Sequence, residues 1–162
     1  MYDTRKEVRM AGKLLNDEFF SNIRLNSKCS SLEEAIQQAG EVLVQNKFVT
    51  RNYIPGMLER ELKYPTYLDF GVMIPHGTED SLQYVLQPGI SVIQIPDGFP
   101  YLGHTVHLVI GISCKEEDPL QELMQITDIL LKPSKRERLL NASSKQEFID
   151  VINENYFNEG EL

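Results

Sequence analysis

The segment Val106–Ser113 is nearly all apolar, and its only ionisable member is His107. An apolar run of this length, without the alternation of a half-exposed strand, is typical of a strand that is buried on both faces of a sheet. We therefore predict that it is the central strand of an α/β fold. Two shorter apolar runs, Phe70–Ile74 and Ile90–Ile95, are bounded by turn-forming residues and are predicted to be further strands.

Two helices are predicted before the first strand. Ser31 followed three residues later by Glu34 is a capping-box pattern, and apolar residues at helical spacing extend it to a helix over 32–45. Thr50 is expected to cap a second helix that runs to about Glu61. The side chains expected to face inward from this second helix are Tyr53, Met57 and Leu58.

Two more helices are predicted after the central strand. Asp118 and Pro119 supply an N-cap and a first helical residue, and Pro133 is expected to stop this helix. Ser144 with Glu147 forms another capping box, which opens the last helix. This order of elements predicts a single α/β domain with a small mixed β-sheet flanked by helices.

The chain of 162 residues is long enough for one domain with a sizeable core. We expect an N-terminal extension over residues 1–22, the domain itself over 23–155 and an acidic tail over 156–162. The charged N-terminus does not resemble a signal peptide, and the chain lacks the roughly eighteen consecutive apolar residues that a membrane-spanning helix needs. The sequence therefore predicts a cytoplasmic protein without direct membrane insertion.

The composition excludes several function classes. A formal net charge of −8 argues against nucleic-acid binding, which needs a basic surface. Cys29 and Cys114 are too few for a disulfide framework or a zinc cluster, and the glycine motifs that bind nucleotides are missing.

His104 and His107 have a spacing seen in some metal sites, but residues three apart on a strand point to opposite faces. We expect no metal ion and no cofactor. The helical carboxylates expected to be solvated are Glu33, Glu34, Glu59 and Glu61.

The residues Ile74–Gly77 are the best candidate for a site. Pro75 has no amide donor and ends the predicted strand, which places His76 at the strand's exit. Gly77 has no Cβ, so an anion or a bulky partner is expected to approach the backbone beside the imidazole. Two interpretations follow: His76 acts as a nucleophile or acceptor, or it is a partly buried histidine held by backbone hydrogen bonds.

Arg60 falls at the end of the second predicted helix, sixteen residues before His76. The helix dipole favours a cation at this position by ~0.3–1 kcal/mol, which is sufficient to explain the residue. The alternative is that Arg60 reaches the imidazole region, where its guanidinium would bind an anion such as phosphate.

Three segments together, Met57–Glu61, Tyr64–Leu68 and Val72–Thr78, resemble one protein family. The pattern is similar to the enzyme IIA domain of the mannitol/fructose class in the bacterial phosphoenolpyruvate:sugar phosphotransferase system. In that family an arginine-bearing helix end precedes a Pro-Thr turn, and a strand then ends in Ile-Pro-His-Gly. The resemblance extends over roughly Ile23 to Ile152, which is most of the chain.

The resemblance implies a phosphoryl relay. His76 would accept a phosphoryl group from the small carrier protein HPr and pass it to a sugar-specific enzyme IIB, usually to a cysteine, for a membrane permease subunit. Arg60 would neutralise charge on the phosphoryl oxygens. Backbone amides at Gly77 and Thr78 are further candidates for donors to those oxygens. The family uses no metal ion.

One departure from the family concerns a second histidine. Mannitol-type members carry it at the start of the helix after the last central strand, and here Pro119 stands at that position. A proline side chain neither hydrogen-bonds nor transfers a proton, so the resemblance leaves the substrate branch open between mannitol-like and galactitol-like members. An alternative function also stays open: a regulatory module in which phosphorylation of His76 controls a transcription regulator or another partner.

Overall fold

The computed structural model describes residues 17–115 and 120–160. The chain divides into two compact units, with divisions at about residues 20 and 120. One unit is Ser21–Leu120. Its strands are β1 (Ile23–Arg24), β2 (Tyr67–Leu68), β3 (Val72–Met73), β4 (Gly89–Tyr101) and β5 (His104–Ser113). Its α-helices are α1 (Leu32–Gln45) and α2 (Tyr53–Lys63), and a short 3-10 helix spans Asp80–Tyr84. Another 3-10 helix, Asp17–Asn22, begins before residue 21 and ends within this unit.

The five strands form one mixed sheet in the order β1-β4-β5-β3-β2. The two long strands β4 and β5 pair antiparallel, while β3 runs parallel to β5. The central position predicted for the apolar run is confirmed, because β5 has two strands on either side and Leu108, Val109 and Ile110 are fully buried. The predicted α/β class with a small mixed sheet flanked by helices is likewise confirmed.

The strand predictions need three corrections. The two-residue strands β1 and β2 were not predicted, because two residues carry no periodicity. Strand β4 does not end at Pro96 but continues to Tyr101, through a register shift between Gln94 and Phe99 that absorbs the proline. Phe70 lies before β3, in a turn: its φ is +69° and its side chain is 44 % exposed, so it is not a buried strand residue.

The first helix follows its capping signal. Helix α1 begins after Ser31, whose Oγ accepts a hydrogen bond of 3.2 Å from the Glu34 amide. The Glu34 carboxylate accepts in return from the Ser30 amide at 2.8 Å, one residue earlier than in the usual capping box. The predicted bounds of 32–45 are confirmed.

The start of the second helix was predicted wrongly. Helix α2 begins at Tyr53, and Thr50 contributes only its carbonyl oxygen, which accepts from the Tyr53 amide at 3.0 Å. Pro55 fits because it lies in the first turn, where its missing amide would have had no partner within the helix. The inward-facing residues are Tyr53 and Met57, both fully buried, while Leu58 is half-buried.

The second unit contains α3 (Gln121–Leu130), α4 (Pro133–Leu140) and α5 (Lys145–Gly160). Pro133 follows the end of α3, as predicted, but it also opens α4, a helix absent from the element order predicted from the residues. The predicted capping box before α5 is confirmed, since Ser144 Oγ accepts from the Glu147 amide at 3.0 Å. Asp118 and Pro119 lie outside the described residues. The boundaries predicted at 22/23 and 155/156 stay predictions.

Candidate active site

His76 lies just beyond β3, beside the central strand. It forms an isolated parallel bridge with Ile112 of β5, whose amide donates to the Pro75 carbonyl at 2.9 Å. The regular strand β3 ends at Met73, and the Pro75 carbonyl still holds the chain against β5. The His76 side chain is half-buried, which leaves part of the ring accessible from outside.

The hydrogen bonding of the imidazole defines its tautomer. His76 Nδ1 lies 3.1 Å from the carbonyl oxygen of Ile74. A carbonyl oxygen only accepts, so Nδ1 carries the hydrogen of this bond. In the neutral ring the lone pair is then on Nε2, the nitrogen suited to act as nucleophile.

Tyr53 holds the backbone next to the histidine. Its hydroxyl accepts a hydrogen bond of 2.8 Å from the Gly77 amide and donates one of 2.7 Å to the Ile112 carbonyl. Burial raises the pKa of Tyr53 to about 12, so the hydroxyl keeps its proton throughout the physiological range. One side chain of α2 therefore connects the His76 loop with the central strand.

The structure gives a different reason for glycine at position 77 from the one inferred from sequence. A Cβ on Gly77 would collide with Ser81 Oγ and would lie 2.5 Å from Cε1 of the Tyr53 ring. The side of Gly77 that was expected to admit an anion is therefore filled by protein atoms, and its amide is bonded to Tyr53. Thr78 is fixed by Ser81, whose Oγ donates to the Thr78 carbonyl at 2.7 Å. That Gly77 and Thr78 donate to a phosphoryl group stays a prediction.

Arg60 lies in the last turn of α2 and interacts with the residue that caps the helix. Its Nη1 donates to the Tyr64 carbonyl at 2.6 Å, and its guanidinium lies 5.2 Å from the centre of the Tyr64 ring. These contacts fit the helix-end interpretation of the residue. Its action on a phosphoryl group stays a prediction; the bond to Tyr64 uses one of the five N–H donors of the guanidinium.

Glu61 was expected to be solvated, and that expectation is wrong. Its side chain is 0 % exposed, and its carboxylate accepts from the Thr66 amide at 2.9 Å and the Thr66 hydroxyl at 2.6 Å. The Tyr101 hydroxyl donates to the same carboxylate at 2.9 Å. The sequence did hold a signal: Glu61 follows the buried Tyr53 and Met57 at spacings of four, which places all three on one helical face.

The other two histidines have partners of their own. His104 is exposed and stacks on Tyr67 with 4.3 Å between ring centres. His107 is half-buried, and its Nδ1 lies 3.1 Å from the carbonyl oxygen of Pro96. Within residues 17–115 and 120–160 no group of three His, Cys, Asp or Glu side chains is placed to hold a metal ion. In the same residues no helix is both long and apolar enough to cross a membrane.

Comparison with known proteins identifies the family. Residues 18–155 match the family model described as the phosphoenolpyruvate-dependent sugar phosphotransferase system, EIIA 2. The mannitol-specific enzyme IIA component of Bacillus subtilis is 43 % identical over 134 residues, which are 82 % of this chain and 94 % of that protein. The corresponding protein of Geobacillus stearothermophilus is 40 % identical, with 82 % and 92 % covered.

Solved structures agree with the sequence comparison. The crystal structure of IIA mannitol from Escherichia coli superposes with a TM-score of 0.74 at 35 % identity, covering 82 % of this chain and 96 % of that one. The complex of E. coli IIA and phosphorylated IIB of the mannitol system gives the same TM-score at 34 % identity, with 82 % and 94 % covered. The chain belongs to the enzyme IIA type 2 family of the phosphoenolpyruvate-dependent sugar phosphotransferase system.

Proposed function

We propose that His76 is the residue on which this phosphocarrier takes up and passes on its phosphoryl group, in a system of the mannitol class. Enzyme IIA components of this family carry phosphoryl groups during sugar uptake, and the chain shares that role as a member. The observation that supports His76 is its hydrogen bond to the Ile74 carbonyl. This bond occupies Nδ1 and leaves the Nε2 lone pair for the phosphorus atom.

The transfer balances without any cofactor. Nε2 of His76 attacks the phosphorus of the phosphohistidine on HPr, and the electron pair of the breaking N–P bond stays on the imidazole of HPr. The Nδ1–H group keeps its hydrogen bond to the Ile74 carbonyl, and this bond stabilises the positive charge that develops on the His76 ring. Onward transfer reverses this step: the acceptor cysteine expected in enzyme IIB attacks as a thiolate, and the pair of the P–N bond returns to Nε2.

Arg60 is the proposed electrostatic partner of the phosphoryl group. Phosphoryl transfer requires positioning and charge stabilisation more than covalent chemistry by the protein. A guanidinium offers several donors in one plane, which suits an anion with three equatorial oxygens. In the unphosphorylated protein Nη1 donates to the Tyr64 carbonyl, a neutral acceptor that is weaker than a dianionic phosphoryl group.

The proposed partners are HPr as donor and enzyme IIB of the mannitol class as acceptor. Two relatives at 40 % identity or more are named mannitol-specific, and the E. coli structure shows an enzyme IIA in complex with phosphorylated IIB. We therefore propose mannitol as the sugar of the cognate permease. Pro119 is no obstacle to the carrier step as proposed, since Nε2 attack requires no proton from a second histidine.

The test compares the three histidines of the chain. Wild type and the variants His76→Gln, His104→Gln and His107→Gln are each mixed with phosphoenolpyruvate, enzyme I and HPr, and their intact masses are measured. We expect one acid-labile phosphoryl group on wild type and on the His104 and His107 variants, and none on His76→Gln. A phosphoryl group retained by His76→Gln would overturn the assignment.

The acceptor is tested with the phosphorylated protein. When it is mixed with mannitol-class IIB, we expect the phosphoryl group to leave this chain and to appear on IIB. Phosphorylation of His76 without any such transfer would instead favour the regulatory alternative.

A further inference from the structure

The buried carboxylate of Glu61 belongs to a chain of hydrogen bonds that ends at His76. Both donors of Thr66 bind it: the amide to Oε1 at 2.9 Å and the hydroxyl to Oε2 at 2.6 Å. An ionised carboxylate accepts through both oxygens, so the two bonds hold Thr66 in one orientation. The Tyr101 hydroxyl is the third donor, at 2.9 Å from Oε1.

Thr66 passes this constraint to the residue that orients the histidine. Its carbonyl oxygen accepts from the Ile74 amide at 3.2 Å. The Ile74 carbonyl in turn accepts from Nδ1 of His76 at 3.1 Å. Pro75, between Ile74 and His76, has no amide hydrogen to donate. The bond from the Ile74 amide to Thr66 therefore holds the backbone just before the histidine.

We propose that Glu61 is a positioning residue for His76: through Thr66 and the Ile74 carbonyl it fixes the imidazole tautomer that leaves Nε2 as the nucleophile. The inference rests on the proposed function, in which Nε2 takes the phosphoryl group. Glu61 touches neither the phosphoryl group nor the ring. Its effect is to keep the Ile74 carbonyl where Nδ1–H must bind it.

Four substitutions separate positioning from simple stabilisation of the turn. Glu61→Gln keeps the shape of the side chain but presents an amide NH₂ group to one of its three donors. Thr66→Val removes the hydroxyl bond to Glu61 and keeps the amide, whereas Thr66→Ser keeps both donors. Tyr101→Phe is the matched control, because it removes a hydrogen bond to Glu61 that does not lead to Ile74.

The readout is the His76 tautomer, measured by ¹⁵N NMR of the imidazole nitrogens, together with the rate of phosphorylation by phospho-HPr. We expect wild type, Thr66→Ser and Tyr101→Phe to hold hydrogen mainly on Nδ1. Glu61→Gln and Thr66→Val should show a larger share of Nε2–H and a rate lower by about tenfold or more, the effect of a misplaced reacting group.

Each outcome decides the proposal. A folded Glu61→Gln or Thr66→Val variant with the wild-type tautomer and rate would overturn it, as would a loss of stability without a change of tautomer. If Glu61→Gln does not fold, the comparison of Thr66→Val with Thr66→Ser decides by the same readout. The proposed function is tested separately: it fails if wild-type His76 accepts no phosphoryl group. The tautomer is measured on the unphosphorylated protein and does not depend on that result.

Discussion

The amide of Gly77 donates a hydrogen bond of 2.8 Å to the hydroxyl of Tyr53. Tyr53 is the first residue of α2, and Gly77 directly follows the candidate phosphoryl acceptor. The same hydroxyl donates to the Ile112 carbonyl in β5 at 2.7 Å. One buried oxygen atom therefore joins a helix, the central strand and the backbone next to His76.

We expect Tyr53→Phe to destabilise the protein and to slow phosphorylation. The substitution leaves the Gly77 amide and the Ile112 carbonyl without this partner in the interior, at a cost of about 1–3 kcal/mol. Urea denaturation measures the free energy of unfolding, and the phosphorylation assay measures the rate. Tyr64→Phe is the control, since Tyr64 is exposed and its change should stay within about 0.5 kcal/mol. Equal stabilities of Tyr53→Phe and wild type would contradict the role of this bond.

Tyr53 should also make the free energy of unfolding depend on pH in the alkaline range. Burial raises the pKa of Tyr53 to about 12, from an unfolded value of about 10. A raised folded pKa stabilises the protein fully below the unfolded value, and this stabilisation is lost as pH rises through the folded value. Between these two pH values wild type should lose roughly 2–3 kcal/mol through this group.

The alkaline prediction is checked by comparing wild type with Tyr53→Phe. The decrease in unfolding free energy above pH ~10 should be shallower in the variant, and the tyrosinate absorbance of the folded protein should lose one late-ionising component. Tyr101 is a second late-ionising tyrosine, because burial and then the bond to Glu61 raise its pKa, so Tyr101→Phe belongs in the comparison. Parallel pH profiles of wild type and Tyr53→Phe would contradict the prediction.

The sequence was sufficient to predict the elements whose signals are local. The apolar composition of Val106–Ser113 predicted the central strand, and the Ser31 and Ser144 patterns predicted two helix starts. Pro75 predicted the end of the strand before His76 to within one residue, since β3 ends at Met73 and not at Ile74. The physical causes, an apolar run, a capping oxygen and a missing amide, are each contained in a few neighbouring residues.

The features of the site that the sequence did not predict, the burial of Glu61 and the reason for glycine at position 77, depend on contacts with distant residues. Glu61 is buried because Thr66 and Tyr101 bring donors to it, and Tyr101 is forty residues away. Gly77 is required by the Tyr53 ring and by Ser81, which no pattern around the histidine indicates. Helical spacing from Tyr53 would have placed Glu61 on the buried face, but its partners become visible only when the chain is folded.

We expect Gly77→Ala to be strongly unfavourable. The added Cβ would collide with Ser81 Oγ and lie 2.5 Å from the Tyr53 ring, which is itself held by two hydrogen bonds. Overpacking of this kind typically costs about 1–3 kcal/mol. The free energy of unfolding and the phosphorylation rate should both fall.

A double-mutant cycle with Ser81→Ala tests the cause. Removing the Ser81 hydroxyl takes away the nearest obstacle but leaves the Tyr53 ring in place, so Gly77→Ala should cost less in the Ser81→Ala background without becoming neutral. Strict additivity of the two substitutions would show that the collision with Ser81 is not the source of the loss.

The last prediction concerns Arg60, and Lys63 provides its matched control. Both cations lie in the last turn of α2 and next to the Tyr64 ring, at 5.2 Å and 5.7 Å from its centre. Each favours the helix end by a similar ~0.3–1 kcal/mol, so Arg60→Gln and Lys63→Gln should differ little in stability. They should differ in rate: if Arg60 stabilises the phosphoryl oxygens, its loss should slow transfer from HPr by about a hundredfold or more.

Single-turnover phosphorylation of His76 measures that rate, and Arg60→Lys tests the guanidinium itself. A lysine keeps the charge but not the planar set of donors, so its rate should lie between wild type and Arg60→Gln. Equal rates for Arg60→Gln and Lys63→Gln would show that the arginine serves only the helix end, as its contacts with Tyr64 already do in the unphosphorylated protein. A rate loss confined to Arg60 would show that the guanidinium acts on the phosphoryl group in addition to its contacts with Tyr64.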